Sequence, residues 1–522
     1  MGEVNRKEDK MKKAFIGIDI GSTGCKAIAI DEKWQPVGRE SVRYDNTIAC
    51  TGLGSYDQSA EILLDASFLC IRELVKKLSG KYEIEAIGCT GQMHGLVALD
   101  KNLKPLRPVI SCVDFRNEKQ NDAIYEKVGG KNGLLPYTNN KMVPSCTGGK
   151  ILWMMENEPE LYKRIHTVVN PKDYVRTVLT GKPVTDESDA SGFGLYDVKH
   201  RCWSRELLEA IGVSERILPK VVCSYETVGK VLPEVASGLG LSYDTEVIAG
   251  AGDAIMQTVG SGAVSPGVYS VIVGSGGNIA MSLDSFAENK DALLQMYAGI
   301  MDGQWVAYAG LMSVGTSINW FRENYYCTDS FAEMEQEAAS VPPGCEELLF
   351  SPALLGQRNP VDDPFAKGIA AGFSLRHGRA HLYRALLEGL AFGMKDVYSL
   401  LQNMGHPMER IHISGGGAAS PTLCQIFADV FQKPVWRIRE FSEAGAYGAA
   451  ILAGGRRKSR EQLLEVLRTP AVEKVFEPDP SNGNIYRDMF AVYRKLYPSA
   501  REIFADLKDL EEKYGNTGQE EL

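Results

Sequence analysis

Short apolar runs broken by glycine turns recur along the chain, and they predict strands and helices in alternation. Phe15 to Ile20 reads as a buried strand interrupted by Asp19, followed by the turn Gly21-Ser22-Thr23-Gly24 and a second strand, Cys25 to Ile30. Residues 14–44 form three short strands in this reading, with a turn at Asp31-Glu32. A helix opened by Ser59 and closed by Gly80 follows, with Leu64, Phe68, Ile71, Val75 and Leu78 as its buried stripe. Ile84 to Cys89 is a further strand, ending in Thr90-Gly91-Gln92-Met93-His94-Gly95. A helix around Lys150 to Glu156, the segment Lys172 to Thr180 and a strand from Thr245 to Ile248 continue the pattern, the strand ending in Gly250-Ala251-Gly252-Asp253.

Past the midpoint the opening pattern returns. Val268 to Val273 is an apolar strand, Gly274-Ser275-Gly276-Gly277 a glycine turn, and Asn278 to Met281 its return strand. Such turns let backbone N–H groups approach an anion closely, and the hydroxyls of Ser22, Thr23 and Ser275 add donors. Two of them in one chain imply a duplicated domain clamping a polyphosphate. A long helix from Arg379 to Met404, stopped by Gly405 and Pro407, leads to the strand Ile411 to Ser414 and a third cluster, Gly415-Gly416-Gly417. There the backbone can lie flat against a base or ribose, and the helix beginning near Pro421 adds its positive end. Glu443 to Leu452, rich in Ala and Gly, reads as a tightly packed helix closing the core. The charged stretch after Gly455 reads as a peripheral helix with a frayed tail ending Glu520-Glu521-Leu522.

The class expected is α/β, since strands and helices alternate. At 522 residues the chain exceeds what a single core usually supports. The division expected is a first domain over 14–262, a second over 263–455 and a helical extension over 456–522, with the junction at Gly262 to Gly267. Hydrophobic content of 44% and charged content of 24% are those of a globular protein. A net charge of −10 without a basic stripe argues against nucleic acid and for a small ligand. The 11 cysteines include no Cys-x-x-Cys pair and face no His cluster, which argues against zinc and against a disulfide framework. Met1 to Lys13 lacks the apolar stretch of a signal peptide, and no run approaches the roughly 20 apolar residues of a membrane span. A cytoplasmic protein with reduced thiols is the expectation.

Asp253 is the leading candidate for chemistry. A carboxylate at the end of a buried strand, flanked by Gly250 and Gly252, suits acceptance of a proton from an attacking hydroxyl in phosphoryl transfer. It equally suits an N-cap for the helix starting at Ala254. Asp19, at the first hairpin, suits a water-mediated Mg²⁺ ligand or a turn. Lys26 is placed to reach a phosphate or to be a solvated strand residue. Met93-His94 could grip opposite sides of a polyol, although a lone His is more often simply hydrogen-bonded. Asp114-Phe115-Arg116 offers a polar contact or a surface ion pair.

Together these segments resemble the FGGY family of carbohydrate kinases, over about Ala14 to Pro498. The hairpin Asp19 to Lys26 is shared, and Ser145-Cys-Thr-Gly-Gly-Lys150-Ile-Leu-Trp153-Met-Met-Glu156-Asn157 is similar to the family's first signature. Thr185 to Gly192, Gly356-Gln-Arg358-Asn-Pro360 with Asp363-Pro364, Ser414 to Ser420 through Gln425 and Asp429, and Glu443 to Ala450 are further matches. The resemblance implies two actin-like, ribonuclease-H-like domains, ATP mainly on the second and sugar mainly on the first. It implies that Gly274 and Ser275 contact ATP phosphates, that Gly315 and Asn319 line the nucleotide pocket, and that Gly416, Gly417 and Ser420 face the adenosine. Asp253 takes the catalytic base's place, with Mg²⁺ as the metal. Gln92-Met93-His94-Gly95 is similar to the substrate loop of xylulokinases, which implies D-xylulose as the acceptor; glycerol kinases are expected to carry an Arg-Glu pair there. Another sugar, polyol or sugar acid is the alternative, and a non-catalytic actin-like regulator the remote one. Ser55 and Cys112 stand where relatives commonly have Trp, Ala254 where Asn is usual, and Gln357 where Glu is frequent. A homodimer is common among relatives.

Overall fold

The computed structural model describes residues 11–514 apart from 45–46, 291, 328–329, 403 and 405. The first ten residues, the helix stop at Gly405 and the acidic tail lie outside the described residues.

Two seven-stranded sheets organise the chain, and six strands of each share one pattern of pairing, although the closing edge strand precedes its neighbour in the first and follows it in the second. In the first, Lys12–Ile20, Gly24–Asp31 and Pro36–Arg43 form an antiparallel ribbon. Lys12–Ile20 also pairs in parallel with Tyr82–Gly91, which pairs in parallel with Glu246–Ile248, and Thr227–Lys230 closes the edge antiparallel. The short strand Ala251–Gly252 pairs with the end of Tyr82–Gly91. In the second sheet Val268–Val273, Gly277–Leu283 and Trp305–Leu311 repeat the ribbon, and Gln295–Ala298 extends it. Arg410–Ser414 and Val435–Ile438 repeat the parallel strands, and Val472–Phe476 closes the edge. The duplication expected from the two glycine hairpins is thus carried by the pairing order itself. Lys12–Ile20 and Val268–Val273 are buried along nearly their whole length because helices cover both faces, so neither alternates polar and apolar positions.

Two sequence expectations are corrected here. The helix Ala60–Leu78 does begin at Ser59, whose hydroxyl caps it, but its buried stripe is rotated. Leu63, Ala66, Ser67, Cys70, Ile71, Leu74 and Leu78 are buried, whereas Leu64, Phe68 and Val75 flank the core half-buried. Small and polar Ala66, Ser67 and Cys70 carry the contact because the helix lies close to the sheet, and an apolarity count passes over them. The stretch after Gly455 is not only peripheral helix, since Val472–Phe476 completes the second sheet before the helix Gly483–Tyr514.

The helix Ala444–Gly455 packs on the first sheet, against Lys12–Ile20 and Tyr82–Gly91. A Cβ on Gly17 would lie 1.9 Å from Ala446 O, and one on Gly88 would lie 2.3 Å from Ala449 O. Helix backbone sits directly on strand backbone, which accounts for its Ala- and Gly-rich sequence. It also crosses the helix Asp253–Gly260, where a Cβ on Gly260 would lie 1.8 Å from Ala444 O. This crossing joins the two halves.

Candidate active site

A cavity of about 790 Å³ opens where both sheets' glycine hairpins face each other. Its walls take Asp19, Ser22, Thr23 and Lys26 from the first hairpin, Met93 and His94 from the loop after Tyr82–Gly91, Asp253 from the helix start, and Ser275 from the second hairpin. A second cavity of about 570 Å³ is lined by Gly274, Ser275, Gly315, Asn319, Gly416, Gly417 and Ser420. Ser275 belongs to both, so the two form one cleft.

The position of Asp253 follows from the glycines before it. Gly250 has φ +77°, and a Cβ there would lie 1.7 Å from Cys89 O, so the chain can turn this tightly only with glycine. Asp253 becomes the first residue of its helix, preceded by Gly252 as N-cap, and its Oδ1 accepts from Ala254 N at 2.8 Å. The N-cap expected at Asp253 is therefore Gly252, which has no side chain to cap with, while Asp253 itself reaches the cavity wall. Burial, then the negative charge of Asp19, push its carboxyl up to about 7. Burial likewise pushes Asp19 up to about 6, opposed by Lys26. Lys26 stands across the hairpin from Asp19, and its ammonium donates to Ser442 O at 3.0 Å.

Among the described residues neither Asp19 nor Asp253 has an ion-pair partner within 4.0 Å, so two raised carboxyls share one cavity. A hydrated divalent cation fits such a donor set, since Mg²⁺ keeps much of its water and takes few protein ligands.

Beside Met93 in the larger cavity, His94 adopts φ +70° and its Nδ1 lies 2.8 Å from Gly192 O. A carbonyl only accepts, so Nδ1 carries the proton. Burial pushes the ring down to about 4, which keeps it neutral at ordinary pH and leaves Nε2 as an acceptor for a hydroxyl. Met93 is nearly fully buried beneath Gly252, whose Cβ would lie 2.6 Å from its sulfur. Asp114 is not brought to this cavity: Tyr56 N and the Arg116 guanidinium occupy its carboxylate, and it is 1% exposed. Of the four departures from the family pattern, Cys112 and Ala254 line the cavity, whereas Ser55 and Gln357 do not.

At the other end a Cβ on Gly315 would lie 2.4 Å from Gly274 O, and one on Gly417 would lie 2.2 Å from Val273 Cγ1. Nothing lies within 4 Å of a Cβ on Gly416, which leaves an open face for a planar group. Ser420 caps the helix Pro421–Phe431 and donates to Glu335 Oε2 at 2.6 Å.

Sequence reasoning missed several contributors. Glu335 lines the smaller cavity, and Gln295, Tyr297, Tyr308 and Arg358 bring the second half into the larger one. Ser188 Oγ accepts from Gly252 N at 3.0 Å, and Arg176 donates to Ala249 O, so both fix the turn that carries Asp253. Beside them the buried carboxylates of Asp173, Asp186 and Asp189 surround the Lys172 ammonium. Burial opposes its charge, but the three carboxylates hold its pKa above the usual lysine value, while burial pushes the Asp189 carboxyl up. The motif Thr185 to Gly192 held Asp186, Ser188 and Asp189 without revealing their task.

The model of the FGGY carbohydrate kinase N-terminal domain matches residues 14–260, and that of the C-terminal domain residues 270–455. The chain belongs to the FGGY family of carbohydrate kinases. It is 30% identical over 503 residues to the xylulose kinase of Lactococcus lactis, covering 95% of this chain and 99% of that one. It is 31% identical over 501 residues to the xylulose kinase of Bacillus subtilis, covering 95% and 99%. The gluconate kinase structure from Lactobacillus acidophilus superposes with a TM-score of 0.88 at 25% identity, covering 95% of this chain and 100% of that one. The fold is the two-domain actin-like α/β fold of these kinases, the expected class. Kinases of this family use ATP as phosphate donor. No helix among the described residues is long and apolar enough to cross a membrane.

Proposed function

We propose that this FGGY kinase transfers the γ-phosphate of ATP to a hydroxyl of D-xylulose, giving D-xylulose 5-phosphate and ADP, with Asp253 as general base. The observation that carries this reading is Asp253 itself, a carboxyl raised to about 7 in the cleft that joins the two cavities at Ser275. Near neutral pH it is poised to take the hydroxyl proton as the sugar oxygen bonds to the γ-phosphorus and ADP leaves. His94 Nε2 accepts from a second hydroxyl and Met93 packs against the carbon chain. The turns Gly21 to Gly24 and Gly274 to Gly277 offer N–H groups to the phosphates, with Ser22, Thr23 and Ser275 hydroxyls beside them. Gly416, Gly417 and Ser420 face the adenosine, and Asn319 and Glu335 close that end. Asp19 and Asp253 are the residues that would hold Mg²⁺ through water, and a bound ion would supply positive charge to the phosphoryl oxygens. The protein acts in the cytoplasm.

The ketopentose reading rests on the Gln92 to Gly95 loop and on the xylulose kinase relatives. One observation favours a sugar acid as the second reading: among the described residues the Arg358 guanidinium, which lines the sugar end, has no hydrogen-bond or ion-pair partner. Phosphorylation of D-xylulose, D-ribulose, D-gluconate and glycerol, followed by ADP release, tests the two. The highest kcat/KM is expected with D-xylulose; a preference for D-gluconate that Arg358→Gln abolishes overturns the ketopentose reading in favour of the acid.

A further inference from the structure

Lys150 is fully buried, yet among the described residues no carboxylate lies within 4.0 Å of its ammonium. Its three N–H bonds go to three main-chain carbonyls: His94 O at 3.0 Å, Ser111 O at 2.8 Å and Ser145 O at 2.8 Å. Each acceptor belongs to a different segment. His94 lies on the loop after Tyr82–Gly91, Ser111 follows the strand Val109–Ile110, and Ser145 precedes the helix Thr147–Asn157. Each segment also places a residue on the wall of the sugar end: His94 from the first, Cys112 and Val113 from the second, Ser145 from the third. None of the three contributes to the nucleotide cavity.

An ammonium without an anion is buried only where its donors are all used, and charge-assisted bonds to carbonyls are the strong kind. We propose that Lys150 is the positioning residue of the sugar end, its ammonium setting the spacing of the three segments that grip the acceptor while leaving the nucleotide untouched. Neighbouring bonds reinforce the same node: Thr147 Oγ1 donates to His94 O at 3.2 Å and Asn170 Nδ2 donates to Gly95 O at 2.6 Å.

The node has a titration of its own. Burial pushes Lys150 down to about 8, so alkaline pH removes one of its three donors. The charged and titratable groups facing it are His94, Cys112, Cys146, Asp114 and Arg116. His94 is already neutral, burial raises both thiols above their ordinary value, and Asp114 and Arg116 are paired with each other. The Lys150 proton is therefore the one among this group lost between pH 7 and 9.

The inference rests on the reading of this cavity as the sugar end, and its test uses whichever acceptor the sugar panel turns over best, so failure of the D-xylulose assignment leaves it readable. In the unaltered enzyme the sugar KM rises above pH 8 while the ATP KM stays flat. Lys150→Met raises the sugar KM about 10- to 100-fold at pH 7.5, removes its alkaline rise and leaves the ATP KM within about twofold. Lys150→Arg, whose guanidinium does not titrate in this range, recovers part of the sugar affinity and also lacks the rise. A sugar KM of the unaltered enzyme that is constant from pH 7 to 9.5 overturns the proposal without any variant. So does a Lys150→Met enzyme whose ATP KM rises in parallel with its sugar KM.

Discussion

Asp253→Asn should produce an enzyme that is nearly inactive and more stable. Asparagine keeps the Oδ1 that accepts from Ala254 N, so the helix start survives, while the group that takes the proton is gone. Loss of a general base lowers kcat by about 10²- to 10⁴-fold. The stability effect follows from the carboxyl's raised pKa. Between the ordinary 3.8 and about 7 the folded protein binds this proton more tightly than the unfolded chain, so ionising Asp253 destabilises the fold. That destabilisation is absent below about pH 4, grows as pH rises and is complete above about pH 7. The interval corresponds to at most about 4 kcal/mol, and water in the open cavity reduces the expected value to about 1–2 kcal/mol. Asparagine carries no charge and escapes it. ADP release with the best acceptor gives kcat, and thermal unfolding at pH 8 and pH 4 gives the stability difference. A variant with kcat within tenfold of the original, or one that melts lower at pH 8, refutes the reasoning.

His94→Ala should raise the sugar KM about tenfold or more and leave the ATP KM unchanged, because His94 lines the cavity proposed to hold the sugar and not the one proposed for adenosine; a parallel rise in both constants contradicts that placement. In Asp19→Asn the acid limb of kcat against pH should move below the original midpoint near pH 7, since the neighbouring charge that raises Asp253 is gone; an unmoved limb shows that the two carboxyls are not coupled. Sugar together with a non-hydrolysable ATP analogue should reduce the radius of gyration in small-angle scattering, by rotation about the segment from Gly260 to Gly267. An unchanged radius means that the cleft is preformed.

Local chemistry is what the sequence expresses openly. The glycine hairpins around Ser22 and Ser275 were legible as side-chain-poor turns between apolar strands, and the duplication followed from them. The turn before Asp253 was legible because Gly250 takes a φ of +77° against Cys89 O, which only glycine accommodates. Contacts between distant segments were not. Nothing local marks Glu335 as the partner of Ser420, or Arg358 as part of the sugar wall, since hundreds of residues separate Arg358 from the first-half segments that share its cavity. Asp114 was read as a polar contact for a ligand or as a surface ion pair; the pair with Arg116 forms, but buried, and burial is not written in the local sequence. The Ala- and Gly-rich helix Ala444–Gly455 was legible as tightly packed, but the strands Lys12–Ile20 and Tyr82–Gly91 on which it chiefly packs lie more than 350 residues earlier in the chain.

The central claim is that one cleft brings the γ-phosphate to a sugar hydroxyl at Asp253. A crystal structure of the enzyme with D-xylulose and a non-hydrolysable ATP analogue tests it most directly. The account predicts a sugar hydroxyl within about 2.6–3.2 Å of the Asp253 carboxylate, with the terminal phosphate between the Gly21 to Gly24 and Gly274 to Gly277 turns. A sugar bound with all its hydroxyls beyond that reach of Asp253, while His94 and Ser275 hold their ligands in a closed cleft, would contradict it.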